Sequence, residues 1–306
     1  MNSLLNLLIS MISILVAVAF YTILERKILS YMQIRKGPNK VGFFGILQPF
    51  SDAIKLFNKN LIPQELMNFS LSFMAPAMTL FLALIIISVI PFFYEPNFDN
   101  KYSILLFMVI SSLGVYAIMM TGWASNSKYA HMGAIRSMAQ MISYEVSFFL
   151  IILFLAFLSN SYYFTQFSDS QSFMWFILGN MTIFLLWMIS CLAEVNRSPF
   201  DFAEGESELV SGFNVEYMGG WFAMIFLAEY SNMIILSFMS VILFFGSLKS
   251  LFMLMSIFLM TFIFLWTRGS FPRFRFDLLM YLSWKIMLPS ILLIIPFSSL
   301  ISILSF

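Results

Sequence analysis

The connection between Ala193 and Tyr217 concentrates acidic residues around a single base, Arg197. Its carboxylates belong to Glu194, Asp201, Glu204, Glu206, Glu208 and Glu216. If the segment is helical, Asp201, Glu204 and Glu208 share one side, and like charges crowded together favour protonation of some carboxyl groups. A carboxyl group poised in this way can hold or pass a proton near neutral pH.

A freely solvated acidic loop is the alternative interpretation of this connection. Large apolar side chains interrupt the acids along its length, at Phe200, Phe202, Leu209, Val210 and Phe213. Because such residues favour burial, the interruption favours a packed segment over a solvated one.

Two more acids lie inside long apolar stretches of the chain. Glu145 falls in the first half of the fourth stretch, and Glu229 falls near the middle of the sixth. An ionised carboxylate at bilayer depth costs at least ~2.5–3.5 kcal/mol, so each side chain should face protein or water. The pattern favours a proton-relay role for these two acids. The alternative is that each is a neutral carboxylic acid without a function in proton transfer.

Three arginines follow the seventh apolar stretch, namely Arg268, Arg273 and Arg275. A guanidinium group suits desolvated, bidentate pairing with carboxylates, so we expect these residues to pair with the acidic connection or with an anionic partner surface. Snorkelling of the side chains at a helix end is the alternative. His131 lies alone in a polar connection and is expected to be structural.

Simple counts exclude several kinds of redox and nucleotide chemistry. Cys191 is the only cysteine, which excludes an internal disulfide framework, a Cys₄ iron–sulfur cluster and a CxxC motif. A single histidine excludes a bis-histidine haem and a His-rich metal site. The chain contains no GxGxxG or P-loop motif, and its net charge of +1 gives no reason to expect nucleic acid. Any redox cofactor should therefore reside on another protein.

The composition requires a membrane environment for the elements that position these residues. Hydrophobic residues make up 61% of the chain and charged residues 10%, against about 45–50% and about 25% in soluble domains. A bilayer core of ~30 Å needs about twenty apolar residues per helix. The sequence therefore predicts an all-α integral membrane protein, a single polytopic domain over residues 1–306 without a soluble domain. It has about eight transmembrane helices, near Ser3–Leu24, Ser70–Phe93, Tyr102–Trp123, Met138–Ser159, Ser172–Leu192, Tyr217–Phe245, Ser250–Trp266 and Ile286–Leu304.

A shorter amphipathic stretch, Gln48–Lys59, follows the first span. Its polar positions recur at helical spacing, at Gln48, Asp52, Lys55 and Lys59. Its apolar positions fall on the opposite face, at Leu47, Phe50, Ile54 and Phe57. The pattern predicts an amphipathic helix lying in the membrane interface, where Asp52 and Lys55 would rim a site for an amphipathic ligand.

Six segments, taken in order, resemble those of a known family. They are Leu24-Glu-Arg-Lys27, Gln33-Ile-Arg-Lys-Gly-Pro-Asn39, Gln48-Pro-Phe-Ser-Asp-Ala-Ile-Lys-Leu-Phe57, Gln140-Met-Ile-Ser-Tyr-Glu-Val146, the connection Glu194–Tyr217 and Pro272-Arg-Phe-Arg-Phe-Asp277. Over nearly its whole length the chain resembles the family of chain 1 of NADH–ubiquinone oxidoreductase, the mitochondrially encoded subunit of respiratory complex I. The run from Asn196 to Leu209 is the most specific of these segments.

The resemblance implies a core membrane subunit of the proton-pumping NADH:ubiquinone oxidoreductase, placed where the membrane arm meets the peripheral arm. Such a subunit forms the membrane part of a chamber that binds ubiquinone, while FMN and iron–sulfur clusters belong to partner subunits only. The charged positions implied around the quinone chamber are Glu25, Arg26, Arg35, Asp52, Arg197, Arg273 and Arg275. The acids implied in proton coupling are Glu145, Glu194, Asp201, Glu204, Glu206, Glu208, Glu216 and Glu229.

The family also implies the mitochondrial inner membrane, with other complex I subunits, ubiquinone and membrane lipid as partners. The resemblance implies no catalytic residue on this chain alone and no metal ligand. An ion-coupled secondary transporter, whose intramembrane acids bind a coupling ion, is the alternative from another class, and a structural anchor is a third. Long, multiply charged connections on one face suit docking to partner proteins better than a self-contained carrier.

The distribution of bases predicts the orientation of the chain. Of the 16 Lys and Arg residues, 14 lie in connections that follow odd-numbered spans. By the positive-inside rule these connections face the matrix, and both termini face the opposite side. Protease or thiol-label accessibility in right-side-out membranes checks this prediction. Labelling of the Ser198–Gly212 segment from the side that bears the termini would contradict it.

Overall fold

A computed structural model describes residues 2–60, 66–91, 100–203, 205, 212–246 and 251–304 of the chain. Helices dominate these ranges, and no strand occurs within them. The α-helices are α1 (Asn2–Met32), α2 (Gln48–Phe57), α3 (Phe69–Val89), α4 (Ser103–Ala124), α5 (Lys128–Ser159), α6 (Phe164–Ser170), α7 (Phe176–Gly179), α8 (Met181–Glu194), α9 (Gly219–Phe245), α10 (Leu251–Ser270), α11 (Phe276–Tyr281) and α12 (Leu288–Leu304). Short 3₁₀ turns add Phe43–Gly45 and Gly212–Asn214.

Seven helices in the described ranges are long and apolar enough to cross a membrane. They correspond to the predicted spans one to four and six to eight, and the prediction of an all-α membrane protein is confirmed. In the bundle, α5 packs against α4, α8 and α12, while α9 packs against α1, α3 and α10. These two central helices therefore carry most of the contacts that position the polar residues.

The predicted fifth span is not one continuous helix. Its apolar part is α8, which has only 14 residues and is therefore about 21 Å long. The one-turn helix α7 precedes it, and Asn180 between them has φ −133° and ψ 49°, which is not helical. The continuous helix of this span is therefore shorter than the hydropathy pattern indicates, because it starts at Met181 and not at Ser172.

The short helix α8 ends inside the bundle, level with the middle of α9, and not at the edge of the bundle. Near its start, the ring of Phe184 lies 5.1 Å from that of Phe244, at the C-terminal end of α9. Just past its end, Arg197 contacts Glu229, which lies ten residues, or about 15 Å, from the N-terminus of α9. The segment Glu194–Asp201, called here the re-entrant segment, thus starts the acidic connection inside the bundle.

Two other spans begin earlier than predicted. Helix α5 starts at Lys128 because Ser127 caps it, with its hydroxyl accepting a hydrogen bond of 3.4 Å from the Ala130 N–H. In the last span, α11 continues through a π-helical turn, Leu282–Met287, into α12. The helical stretch therefore begins at Phe276, ten residues before the predicted start at Ile286.

The amphipathic helix predicted after the first span is confirmed as α2. Pro49 stands in its first turn, where a proline costs no helical hydrogen bond. Phe50, Ile54 and Phe57 are exposed together on one side, as an apolar face laid on the membrane interface would be.

A glycine allows the backbone of α5 to approach the turn Gly212–Asn214 closely. A Cβ atom added to Gly133 on α5 would lie 2.9 Å from the amide nitrogen of Phe213 and 3.0 Å from the Cα of Gly212. Nearby, the buried Tyr217 hydroxyl donates a hydrogen bond of 3.0 Å to the carbonyl of Thr121 on α4. Burial raises the pKa of this phenol, so it stays protonated as a donor. Together these contacts attach the end of the acidic connection to α4 and α5.

Replacing Gly133 by alanine should lower the free energy of unfolding by about 1–3 kcal/mol, because the new methyl group meets backbone that cannot move aside cheaply. Gly114 on α4 is a matched control, since nothing lies within 4 Å of the corresponding Cβ position. There Gly→Ala should be neutral or stabilising. Thermal unfolding of the detergent-solubilised protein measures both, and equal midpoints for the two variants would contradict the packing.

Candidate functional site

Arg197 is the centre of the candidate site, and it is buried with only 6% of its side chain exposed. Its Nη2 lies 3.2 Å from Oε2 of Glu229 on α9. Its guanidinium carbon lies 4.5 Å from the centre of the Tyr230 ring. A guanidinium group tolerates this depth because it faces a carboxylate and an aromatic ring at once.

Glu25 extends this network to α1. The Tyr230 hydroxyl donates a hydrogen bond of 2.6 Å to Oε2 of Glu25, and Arg268 of α10 forms an ion pair with the same carboxylate. Glu25 is itself buried, so both partners are needed to compensate its charge. Tyr230 therefore joins two buried ion pairs by contacting Glu25 with its hydroxyl and Arg197 with its ring.

The network reaches the surface where α1 meets α2. Arg26, the neighbour of Glu25, forms an ion pair of 2.8 Å with Asp52, and these side chains are 52% and 37% exposed. Gln48 donates a hydrogen bond of 3.0 Å to the same Asp52 carboxylate. The residues Asp52, Arg26, Glu25, Tyr230, Arg197 and Glu229, called here the polar chain, run from the surface to the bundle interior. Side-chain contacts connect them except between Arg26 and Glu25, which are consecutive residues of α1.

A cavity of about 80 Å³ lies at the inner end of this polar chain, between α3, α4, α5, α9 and the end of α8. Most of its lining is apolar, but it includes the hydroxyls of Thr79 and Ser111 and the carboxyl or amide groups of Glu194, Asn196, Glu229 and Asn232. Three of their buried oxygens have no hydrogen-bond partner, namely Glu194 Oε2, Asn196 Oδ1 and Asn232 Oδ1. Unpaired acceptors around a small cavity form a site that receives donors such as water.

The two remaining acids near the interior differ in their surroundings. Glu145 is only partly buried on α5, and its charge interacts with that of Glu194. Glu216 lies between the turn Gly212–Asn214 and α9, where its Oε2 is buried without a hydrogen-bond partner. The structure thus brings Glu194 and Glu229 to the cavity and leaves both Glu145 and Glu216 outside its lining.

The outer part of the re-entrant segment docks on the link between α10 and α11. Asp201 is buried, and its Oδ2 lies 3.4 Å from Nη2 of Arg273. The Phe200 ring lies 5.4 Å from that of Phe274, whose backbone N–H donates to the carbonyl of Pro199 at 3.1 Å. The acidic connection and the arginine-bearing link therefore pack together, as expected from their opposite charges.

The expectation for the three arginines holds only in part. Arg273 pairs with the acidic connection, but Arg268 pairs with Glu25, because α10 faces α1 at that level. Arg275 is exposed and has no ion pair within the described residues. Arg35 is also exposed, and its Nε donates a hydrogen bond of 2.8 Å to the side chain of Gln33.

A freely solvated acidic loop is wrong for the described part of the connection, since Phe200, Phe202 and Phe213 are all buried. The helical arrangement is not formed at Asp201, because residues 201–203 are not helical. The predicted acids Glu204, Glu206 and Glu208 lie outside the described residues. His131 is exposed near the start of α5.

Sequence reasoning missed Tyr230, Asn196 and Gln140 as parts of the site. Tyr230 follows Glu229 directly, and a hydroxyl-bearing ring beside an intramembrane acid was the available signal. Asn196 stands in the acidic connection two residues after Glu194, but nothing in the sequence indicated that its side chain reaches the cavity. Gln140 lies 53 positions before Ala193, so only the tertiary structure shows their contact. No group of three or more His, Cys, Asp or Glu in the described ranges is arranged to hold a metal ion.

Comparison with known proteins gives consistent matches over almost the whole chain. The sequence model of a family described as NADH dehydrogenase matches residues 5–299. The chain is 51% identical to NADH-ubiquinone oxidoreductase chain 1 of Aedes aegypti over 288 residues, which cover 94% of this chain and 92% of that protein. It is 47% identical to the proteins of the same name from Heterololigo bleekeri, with 96% and 95% covered, and Didelphis virginiana, with 94% and 92% covered.

Replacing Arg197 by glutamine should destabilise the protein by about 3–5 kcal/mol, because Glu229 then keeps a buried charge without its ion-pair partner. Adding Glu229→Gln to the same variant should restore much of the loss. Arg26→Gln is the control, since the Arg26 and Asp52 side chains are 52% and 37% exposed and such pairs are worth about 1 kcal/mol or less. Thermal unfolding of the purified protein measures all three, and equal losses in the two arginine variants would argue against a buried pair.

Proposed function

This chain belongs to the NADH dehydrogenase family, in the branch of NADH-ubiquinone oxidoreductase chain 1, and from that premise we propose the role of its polar interior. The chain is a membrane subunit of an NADH:ubiquinone oxidoreductase. In our proposal it forms the membrane part of the quinone chamber and couples quinone reduction to proton translocation. One observation carries the coupling part of this proposal, namely that the polar chain ends at a cavity that holds two carboxylates and three unpaired oxygens.

The outer end of the polar chain suits the head group of an amphipathic quinone. Arg26 and Asp52 are partly exposed where α1 meets the interfacial helix α2, so a ligand dissolved in the membrane can approach them from the bilayer. Glu25, Arg197 and Arg273 continue the charged lining inward and along the docked connection. We assign these residues to the chamber, with the exposed Arg35 and Arg275 at its boundary with partner subunits.

The link between α1 and α2 suits docking to the peripheral arm. Ile34, Phe43 and Phe44 are strongly exposed there, in a connection that also carries Arg35, Lys36 and Lys40. Exposed apolar side chains outside the membrane mark a surface that another protein covers. We propose the quinone-site subunits of the peripheral arm as that protein.

The cavity supplies the proposed proton step. Its volume of about 80 Å³ leaves room for about two water molecules, since each occupies ~30 Å³ in the liquid. Water donating to Glu194 Oε2, Asn196 Oδ1 and Asn232 Oδ1 would connect Glu194 with Glu229. Protons would then pass between carboxylates that belong to different helices, with Glu145 next to Glu194 and Asp201 and Glu216 nearer the surface. Glu204, Glu206 and Glu208 complete the proposed set.

Charge is the proposed means of coupling. Reduction of the quinone to quinol takes up electrons and an equal number of protons, so the quinol is neutral. A residue of the chamber that gives up one of those protons changes its own charge. Buried charges interact far more strongly than exposed ones, and Arg197 is in contact with both Tyr230 and Glu229. A change of charge near Glu25 therefore alters the balance of the Arg197–Glu229 pair, which in turn shifts the protonation of the cavity acids.

The cysteine content of the chain does not fit an iron–sulfur cluster. Cys191 is its only cysteine and is fully buried in α8, whereas an iron–sulfur cluster needs several cysteine ligands. The proposal therefore assigns FMN and the iron–sulfur clusters to partner subunits and ubiquinone to this chain as substrate. It places the subunit in the mitochondrial inner membrane, with the connections after odd-numbered spans facing the matrix.

Glu194→Gln in the assembled complex should lower quinone reductase turnover and proton translocation together, by at least about tenfold, because the amide cannot carry a proton. Glu194 forms no ion pair within the described residues, so the substitution leaves the Arg197–Glu229 pair in place. NADH oxidation with an artificial electron acceptor should stay unchanged. Both activities are measured in vesicles that contain the reconstituted complex.

Asp169→Asn is the control. Asp169 is an exposed acid on α6, and α6 lies at the end of the bundle far from Glu194. That variant should retain wild-type turnover and proton stoichiometry. Wild-type values in Glu194→Gln as well would reject the proposed proton role of the cavity.

A further inference from the structure

Gln140 on α5 is fully buried, and its amide nitrogen makes two hydrogen bonds to the re-entrant part of the chain. It donates to the carbonyl of Ala193 at 2.9 Å and to the carbonyl of Phe200 at 2.8 Å. Both amide hydrogens are therefore used, whereas the buried Oε1 has no partner. The two carbonyls bracket the six residues from Glu194 to Pro199, with Arg197 between them.

Irregular backbone at bilayer depth is tolerated only where protein groups satisfy its polar atoms. Helix α8 ends inside the bundle, with Ala193 in its last turn. The carbonyls of Ala193 and Phe200 each accept a backbone hydrogen bond, from the Asn196 N–H at 3.2 Å and from the Phe202 N–H at 3.1 Å, and Gln140 adds a side-chain donor to each. A single side chain that holds Ala193 and Phe200 fixes the distance between the two ends of the loop that carries Arg197. Gln140 thus joins a long, continuous helix to a non-helical segment of the interior.

An amide at this position is costly as a mere filler of space. Burying its unpaired Oε1 carries a desolvation penalty that an apolar side chain of similar size would avoid. The amide supplies a pair of donors with fixed geometry. They are directed at the carbonyls of Ala193 and Phe200, which are 7 positions apart in the sequence. The contacts therefore indicate a role in geometry, not in filling volume.

We propose that Gln140 is the positioning residue that keeps the re-entrant segment in register, so that Glu194 reaches the cavity, Arg197 reaches Glu229 and Asp201 reaches Arg273. The functional consequence of this role rests on the proton coupling proposed above, whereas the structural part does not. Without the amide, the segment samples arrangements in which Glu194 and Arg197 no longer meet their sites together.

The test compares Gln140→Met, which keeps the volume and removes both donors, with Ser147→Ala in the assembled complex. Ser147 is a buried residue of the same helix, and its hydroxyl bonds only the Tyr144 carbonyl of that helix at 2.8 Å. Cys191 lies in the last turn of α8 and is fully buried. Its labelling by N-ethylmaleimide, measured by mass spectrometry of this chain, reports loosening of that turn independently of activity.

Gln140→Met should raise labelling of Cys191 several-fold and lower quinone reductase turnover about tenfold, which corresponds to ~1.4 kcal/mol. Ser147→Ala should leave both at the wild-type level. Gln140→Glu adds a readout that a space-filling role would not change, because a protonated carboxyl group offers one donor. Its turnover relative to wild type should therefore recover as the pH falls, whereas that of Gln140→Met should not.

Raised labelling together with lowered turnover supports the proposal. Unchanged labelling of Cys191 in Gln140→Met overturns it. Raised labelling with wild-type turnover keeps Gln140 as the residue that holds the segment and rejects the proton role proposed for that segment. Glu194→Gln tests that proton role separately, so the two proposals fail in distinguishable ways.

Discussion

The arrangement of the interior depends on the burial of Arg197 against Glu229 at bilayer depth. A lone guanidinium or carboxylate at this position would cost several kcal/mol, so each is tolerated only in contact with the other. The pair forms because α8 ends after 14 residues and delivers Arg197 to the middle of α9. The same contact therefore fixes where the acidic connection starts and which carboxylates lie next to it.

Tyr230 connects the Arg197–Glu229 pair to Glu25 on α1. Its ring lies against Arg197 and its hydroxyl bonds Glu25, so α1, α9 and the end of α8 share one network of polar contacts. Arg268 balances the charge of Glu25 from α10. In the proposed function, the α1–α2 interface and the cavity respond to the same change of charge through this polar chain, since charges in a low-dielectric interior interact strongly.

In the proposed function, the α1–α2 interface and the cavity are the two ends of one process, the coupling of quinone reduction to proton transfer. Quinone would be reduced near the partly exposed end, while the cavity acids hold protons at the buried end. The described part of the acidic connection is packed by Phe200, Phe202 and Phe213, so it lies between the two ends as a fixed element of the protein. Gln140 would keep this element in register from the side of α5.

The sequence by itself determined the membrane setting, seven of the spans, the interfacial helix and the family, because apolar length, helical spacing and a specific motif are local properties of the chain. It also marked Glu145 and Glu229 as costly charges. Only the tertiary structure decided that Glu194 shares a cavity with Glu229, that Arg268 pairs with Glu25 and not with the acidic connection, and that Gln140 bonds both ends of a loop. Hydropathy reports how apolar a segment is, whereas the depth at which α8 stops depends on which charges on other helices can compensate its end.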